Sequence, residues 1–314
     1  MRQWKFLVLT LCVAATFFFS LRMLHSYYVF YAGYLILQGI VLAVAWNILG
    51  GYTGYMNFGV SAFLALGAYT GVALNNLHPS LPLPVLMLAG GVVSGLIGCG
   101  MGYLTMRLKG IYFAISTLAL AIVAQTLITN WSYVGGTRGV YAMTPRSIPG
   151  FGSYIEYMFL LMLLLVVLVI VVARTIEHSR LGEGFAAVRD DEVAAEATGV
   201  PTLRLKLIAT TLSGALMGMA GAPFPYYVTF LEPASAFSLT FAVNAIAMSM
   251  IGGTASWLGP FLGAVLLGTV QQVATVTIAS EINLLIVGII LVGFVVLAPK
   301  GIIGLASRRR RVSS

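Results

Sequence analysis

The side chains best suited to specific chemistry lie in one charged segment, residues 174–206. It holds 11 of the chain's 26 charged residues and six of its nine carboxylates. Aspartate caps helix N-termini and the Gly-x-Pro sequence at 199–201 ends helices, so a short rigid helix is predicted within 190–199. A short rigid helix between two apolar stretches indicates that the segment is a docking site for a water-soluble partner rather than an ordinary solvated loop. The predicted docking residues are Arg189, Asp190, Asp191, Glu192, Glu196 and Gly199.

A second set consists of uncharged polar residues inside apolar stretches. Such side chains either hydrogen-bond neighbouring helices or line a path through a membrane, and both interpretations stay open. The candidates for a translocation path are Asn47, Asn57, Thr117, Gln125 and Asn244.

Signatures of catalysis and of metal binding are not found in the sequence. There is no glycine loop ending in Gly-Lys-Ser/Thr and no His-Glu-x-x-His motif. The three histidines are scattered, and Cys12 and Cys99 lie in apolar stretches as expected of packing residues. We therefore expect no catalytic residue, metal or bound cofactor in this chain.

The composition is that of a membrane protein. The chain is 60% hydrophobic and 8% charged, with a mean hydropathy of +0.98, whereas soluble domains carry about 25% charged residues. The predicted fold is an all-α bundle of about ten spans in a single transmembrane domain, residues 1–314. The predicted spans are 6–24, 28–49, 57–77, 83–106, 111–131, 154–173, 205–223, 237–252, 258–279 and 282–298.

Charge asymmetry predicts the orientation of these spans. With both termini cytoplasmic, 14 of the 17 Lys and Arg residues fall inside and three fall outside. Residues 174–206 then form a cytoplasmic loop, 132–153 an external loop, and 299–314 a basic tail beside anionic lipid. The net charge of +8 thus reflects topology rather than nucleic-acid binding. The first apolar stretch lacks a signal-peptide cleavage pattern and is expected to be a retained helix.

Glycine marks two places between spans and one helix face. The first glycine-rich loop, residues 50–59, and the second, residues 252–260, are of the irregular kind that often lines transport routes. Gly91, Gly95 and Gly102 fall on one face of a predicted helix, where small residues allow close helix packing.

Carboxylates are scarce within the predicted spans. Glu156, Glu232 and Glu281 all fall near predicted outer ends. This argues against proton-coupled transport, which uses ionisable groups at mid-membrane, although a sodium site needs only carbonyls and hydroxyls. The charged segment is therefore the better candidate for the place where energy enters.

Several sequence blocks resemble the LivM-type permeases of bacterial branched-chain amino acid ABC importers. The charged segment contributes Ser-Arg-Leu-Gly at 179–182 and Ala-Val-Arg-Asp-Asp-Glu-Val-Ala-Ala-Glu-Ala-Thr-Gly-Val at 187–200. The other similar blocks are 51–59, 67–69, 108–119, 135–139 and 252–264.

The resemblance implies an inner-membrane importer permease. It implies as partners a second permease subunit, as a heterodimer, two cytoplasmic ATPase subunits and a periplasmic substrate-binding protein. The helix within 190–199 would be the coupling helix that contacts an ATPase. The family's Glu-Ala-Ala pattern, followed three residues later by Gly, is shortened here at 196–199, so the role is assigned to the segment rather than to a strict motif.

Two alternatives stay open at the level of sequence. Permeases of urea or short-chain amide importers are similar to this chain, so the cargo can differ. A stand-alone secondary carrier or channel would transport without an ATPase and would need an ion or substrate site at the membrane midplane.

Overall fold

The computed structural model describes residues 3–23, 26–79, 81–105, 108, 110–142, 151–277, 288–289, 292–293 and 301–304. The helices of this part are α1 (Gln3–Met23), α2 (Tyr27–Gly50), α3 (Val60–Leu77), α4 (Leu83–Thr105), α5 (Ile111–Thr129), α6 (Tyr154–Glu177), α7 (Arg180–Asp190), α8 (Glu192–Ala197), α9 (Thr202–Gly221), α10 (Phe224–Val228), α11 (Pro233–Ala236), α12 (Leu239–Gly252) and α13 (Leu258–Thr277). Two short strands, β1 (Val140–Tyr141) and β2 (Phe230–Leu231), complete it.

The predicted polytopic all-α architecture is confirmed. Within the described ranges, nine helical stretches are long and apolar enough to cross a membrane, and they correspond to the first nine predicted spans. The predicted tenth span, 282–298, falls mostly outside the described residues and stays a prediction.

Helix α2 lies at the centre of the bundle. It packs against α6, α9, α12 and α13, and its residues 40–49 are all buried. Two serine hydroxyls attach neighbouring helices to its backbone: Ser213 Oγ of α9 donates to Ala45 O at 2.8 Å, and Ser249 Oγ of α12 donates to Ala43 O at 3.0 Å. This second half of α2, apolar and buried on all sides, forms the core around which the neighbouring spans are arranged.

Helices α4 and α9 pack closely through the predicted glycine face. A Cβ atom added at Gly91 would lie 2.5 Å from Met219 Cγ, and one at Gly102 would lie 2.5 Å from Thr210 Oγ1. At Gly95 the nearest atom is Ala215 Cβ, 3.1 Å away. The prediction that these glycines share one packing face is confirmed.

Two contacts between α1 and α6 show which ends of these helices lie together. At one end, Arg22 Nε pairs with Glu156 Oε1 at 3.0 Å. At the other, the Arg174 guanidinium lies 3.7 Å from the centre of the Phe6 ring. The start of α1 and the end of α6 therefore share an end, as the predicted alternation of spans requires; which end is cytoplasmic stays a prediction from charge.

The loop predicted at 132–153 is ordered over its described part. It forms two turns of 3₁₀ helix, Ser132–Val134 and Gly136–Arg138, followed by strand β1. Strand β1 pairs antiparallel with β2, with Val140 opposite Leu231. Residues 143–150 of this loop lie outside the described residues.

Candidate functional site

The charged segment is packed onto the end of the bundle rather than extended into solvent. Phe185 and Val188 of α7 are buried, and α7 contacts α6 and α9. Gly184 allows this approach, since a Cβ there would lie 2.8 Å from Leu205 Cδ1. The segment is therefore a fixed part of the fold.

Helix α8 is capped at both ends. The Asp191 carboxylate accepts the amide hydrogens of Val193 at 2.9 Å and Ala194 at 3.1 Å, which satisfies two free N–H groups of the first turn. At the other end Gly199 has φ +84°, and the amides of Gly199 and Val200 donate to Glu196 O and Ala195 O, both at 3.0 Å. This is a Schellman motif, and the predicted short helix within 190–199 is confirmed as Glu192–Ala197.

Replacing Asp191 with alanine is expected to loosen α8 by about 1 kcal/mol, because the first-turn amides lose their acceptor. Hydrogen exchange at Val193 and Ala194 should become several-fold faster. The control is Asp190→Ala, which removes only an exposed carboxylate paired with its neighbour Arg189. Equal protection in the Asp191 variant and the unsubstituted protein would disprove the capping role.

Glu192 faces the bundle rather than solvent. One carboxylate oxygen pairs with Lys206 Nζ, and the other accepts the Tyr55 hydroxyl. The Lys206 side chain is 5% exposed, and its ammonium lies 4.4 Å from the centre of the Tyr55 ring. Burial raises the pKa of Tyr55 above its ordinary value, and the Glu192 carboxylate raises it further, so the phenol keeps its proton and donates.

The remaining predicted docking residues lie at the surface. Glu196 accepts the Thr202 hydroxyl at 2.6 Å, and Arg189 pairs with Asp190 at 3.1 Å with both side chains exposed. An exposed pair of this kind contributes little to stability. The side chains of Arg189, Asp190 and Glu196 are therefore accessible to a partner, whereas Glu192 is used within the fold.

The exposed face of α8 is small and apolar. Val193 is 65% exposed, and Ala194 and Ala197 are also exposed, while Ala195 is buried against the bundle. A rigid helix with an apolar outer face and a charged rim has the character of a protein contact surface, whose centre is depleted in charge.

The candidate path residues do not share one role. Asn57 Oδ1 accepts the Gly59 amide at 2.7 Å, and Thr117 Oγ1 accepts the Phe58 amide at 3.1 Å, so both hold the first glycine-rich loop in shape. Asn47 is buried beneath the same loop, and its backbone carbonyl oxygen accepts the backbone amide of Tyr52 at 2.9 Å.

Gln125 and Asn244 lie elsewhere, half-buried in α5 and α12. Asn244 Oδ1 accepts Gln271 Nε2 at 3.2 Å, between α12 and α13. Asn244 thus forms a hydrogen bond between two helices, which is one of the two interpretations that the sequence left open. A translocation role for any of the five residues stays a prediction.

Glu177 was not among the predicted site residues, yet it joins both glycine-rich loops. Its Oε2 atom accepts the Trp257 amide at 3.1 Å from the second loop and the Tyr52 hydroxyl at 3.4 Å from the first. The sequence offered one relevant observation, since Glu177 is a carboxylate at the entry to the charged segment.

Comparisons with known proteins identify relatives of this chain. The chain matches the family described as the branched-chain amino acid transport system permease component over residues 27–295. It is 29% identical over 302 residues to the high-affinity branched-chain amino acid transport system permease protein LivM of Salmonella typhimurium, covering 88% of this chain and 70% of the relative. LivM of Escherichia coli is 28% identical over 291 residues, 84% of this chain and 67% of the relative.

A relative with another named cargo also matches. The autoinducer 2 import system permease protein LsrC of an Enterobacter species is 30% identical over 241 residues, covering 72% of this chain and 66% of the relative. No solved structure shows a significant match to the chain. The family match extends over most of the sequence and includes eight of the nine described spans together with the charged segment. The chain therefore belongs to the family of branched-chain amino acid transport system permease components.

Proposed function

We propose that this chain is a permease subunit of an ATP-binding-cassette importer and carries branched-chain amino acids that a periplasmic binding protein delivers. A second permease subunit completes the channel, and two cytoplasmic ATPase subunits drive it. The chain itself is a transport component without a catalytic site. A multi-pass protein of this family lies, in bacteria, in the inner membrane.

The observation that carries the proposal is the construction of α8. A helix of six residues is marginal in isolation, yet this one is capped at both ends and bonded to the bundle through Glu192. Its outer face is apolar and unoccupied by any described part of the chain. A soluble ATPase that covers this face could transmit force directly to the spans that flank it.

The distribution of carboxylates supports an ATP-driven importer over an ion-coupled carrier. Among the described spans, Glu156 and Glu177 both lie at the ends of α6, and each is bonded there to the protein. A proton-coupled carrier uses ionisable side chains nearer the midplane. Energy supplied at the surface, through the charged segment, fits this arrangement better.

The amino-acid cargo rests on the family and on the LivM relatives, while the LsrC relative makes autoinducer 2 the second candidate cargo. The sequence resemblance adds urea or short-chain amides as a further candidate. Uptake competition separates these cargoes: an excess of leucine, isoleucine or valine should block uptake of labelled leucine, and urea or autoinducer 2 should not.

Arginine at both Ala194 and Ala197 is expected to abolish ATPase binding, because it places two charges on the apolar contact face without disturbing buried groups. Recovery of the ATPase with the affinity-purified permease should fall at least tenfold, while insertion and thermal stability of the permease stay unchanged. Arginine is well tolerated in helices, so α8 should persist.

The matched control is Ala234→Arg, which places an arginine at an exposed alanine of the short helix α11. This helix follows β2, at the end of the bundle opposite to α8. It should leave ATPase recovery at the level of the unsubstituted chain. Full recovery of the ATPase with the Ala194 and Ala197 double variant would refute the assignment of α8.

A further inference from the structure

The first glycine-rich loop, residues 50–59, is attached to the charged segment at three successive points. The Tyr52 hydroxyl lies 3.4 Å from Glu177 Oε2, just before α7. The Tyr55 hydroxyl donates to Glu192 at the start of α8. Between them Gly54, with φ +76°, packs against Arg189 at the end of α7, and a Cβ added there would lie 3.1 Å from Arg189 Cγ.

These contacts differ in kind from the surface pairs of the charged segment. The two tyrosine hydroxyls are aimed at carboxylates on either side of α7, and hydrogen bonds to charged groups are stronger than those between neutral groups. Both phenols have their pKa raised by burial, so they stay protonated as donors at neutral pH. The left-handed backbone at Gly54 lets the loop lie flat on α7 between them.

The same loop is firmly connected to the core of the bundle. Thr53 Oγ1 donates to Leu49 O at 2.6 Å, and Trp46 Nε1 donates to Asn57 O at 2.9 Å, which attaches the loop to the last turns of α2. The Phe58 amide bonds Thr117 of α5 at 3.1 Å. A displacement of the loop would therefore be passed to α2, which is buried at the centre, and to α3, which begins at Val60.

We propose that the first glycine-rich loop is the element that transmits movement of the charged segment to α2 and α3, and that Tyr52 and Tyr55 are the positioning residues that fasten the two together. The proposal rests on the proposed function, since it assumes that an ATPase moves α7 and α8. It adds a specific route, in which the loop and the charged segment move as one unit because they are in contact at Glu177, Arg189 and Glu192.

The test removes the two phenol hydroxyls and nothing else. The Tyr52→Phe and Tyr55→Phe double variant is assayed in the complex with its ATPase subunits, in proteoliposomes supplied with the binding protein. ATPase recovery and ATP hydrolysis should be retained, while the amount of cargo transported per ATP hydrolysed falls about tenfold or more, because the variant loses two hydrogen bonds to carboxylates and each corresponds to about a tenfold change. A purely structural role would lower protein recovery and both activities together, without changing this ratio.

The control is Tyr133→Phe, which removes a hydroxyl that donates to Ala73 O at 3.3 Å, near the end of α3 away from the loop. It should leave the transport ratio unchanged. A normal ratio in the double variant would overturn the proposal while leaving the proposed function standing. Failure of the unsubstituted chain to bind any ATPase would instead overturn the proposed function.

Discussion

Replacing Lys206 with methionine is expected to lower the free energy of unfolding by about 3 kcal/mol, because it leaves the Glu192 carboxylate charged and partly buried without its cation. Lys206 is almost fully enclosed, and Glu192 is 12% exposed, so water replaces little of the lost interaction. The Tyr55 hydroxyl remains as a donor to Glu192, which keeps the loss at the low end for a broken buried pair. The measurement is thermal unfolding of the purified protein in detergent.

The double variant, Lys206→Met with Glu192→Gln, should recover a large part of that loss, since it removes both charges together. Arg204→Met is the matched control, because Arg204 is an exposed cation in the same turn of α9. It should shift the unfolding free energy by less than about 0.5 kcal/mol. Equal stability of the Lys206→Met and Arg204→Met variants would contradict a buried ion pair beneath α8.

A methyl group at Gly67 is expected to lower the free energy of unfolding by about 2 to 3 kcal/mol, because α3 and α9 touch there through their backbones. The added Cβ would lie 2.0 Å from the carbonyl oxygen of Gly218, which is too close without moving one helix. The same thermal unfolding measurement applies. Helix association in lipid depends on such close packing, since lipid supplies no hydrophobic drive between helices.

Gly100→Ala is the matched control for this substitution. Gly100 lies in α4, and nothing lies within 4 Å of an added Cβ. Alanine there should be neutral or stabilising by up to about 1 kcal/mol, because glycine is the poorer helix former. A Gly67→Ala protein as stable as Gly100→Ala would show that α3 and α9 are not in direct contact.

The architecture was largely predictable from the sequence, because membrane spans and helix caps each depend on residues that are close together in the chain. A span needs only a sufficient run of apolar residues, and a cap needs only the right residue at one position. The sequence therefore indicated Asp190 or Asp191 as the start of α8 and Gly199 as its end, and the structure identifies Asp191 as the cap. In the same way, Gly91, Gly95 and Gly102 marked the packing face of α4.

The direction in which Glu192 points could not be predicted in the same way. Helical spacing places Glu192 and Glu196 on one face, but the side that meets the bundle depends on Lys206, 14 residues later, and on Tyr55, 137 residues earlier. No periodicity relates residues so far apart. The better candidate for partner binding is therefore not Glu192 but the exposed apolar face of α8 that includes Ala194 and Ala197.

The hydrogen-bond partners of the polar residues in and beside the spans were also not predictable from the sequence. A sequence identifies Asn57 and Thr117 as polar groups in apolar surroundings, but not which atoms they bond. Both turn out to bond the backbone of the first glycine-rich loop. That Asn57 and Thr117 contribute to transport through the shape of this loop stays a prediction.

The most direct measurement is uptake of labelled leucine into proteoliposomes that contain this chain together with the second permease subunit, the two ATPase subunits and the periplasmic binding protein that are proposed as its partners. The account predicts that uptake requires ATP inside the compartment that holds the ATPase, and that it stops when the Ala194→Arg and Ala197→Arg chain is used. Leucine uptake by the chain alone, without ATP and without any ATPase subunit, would contradict it.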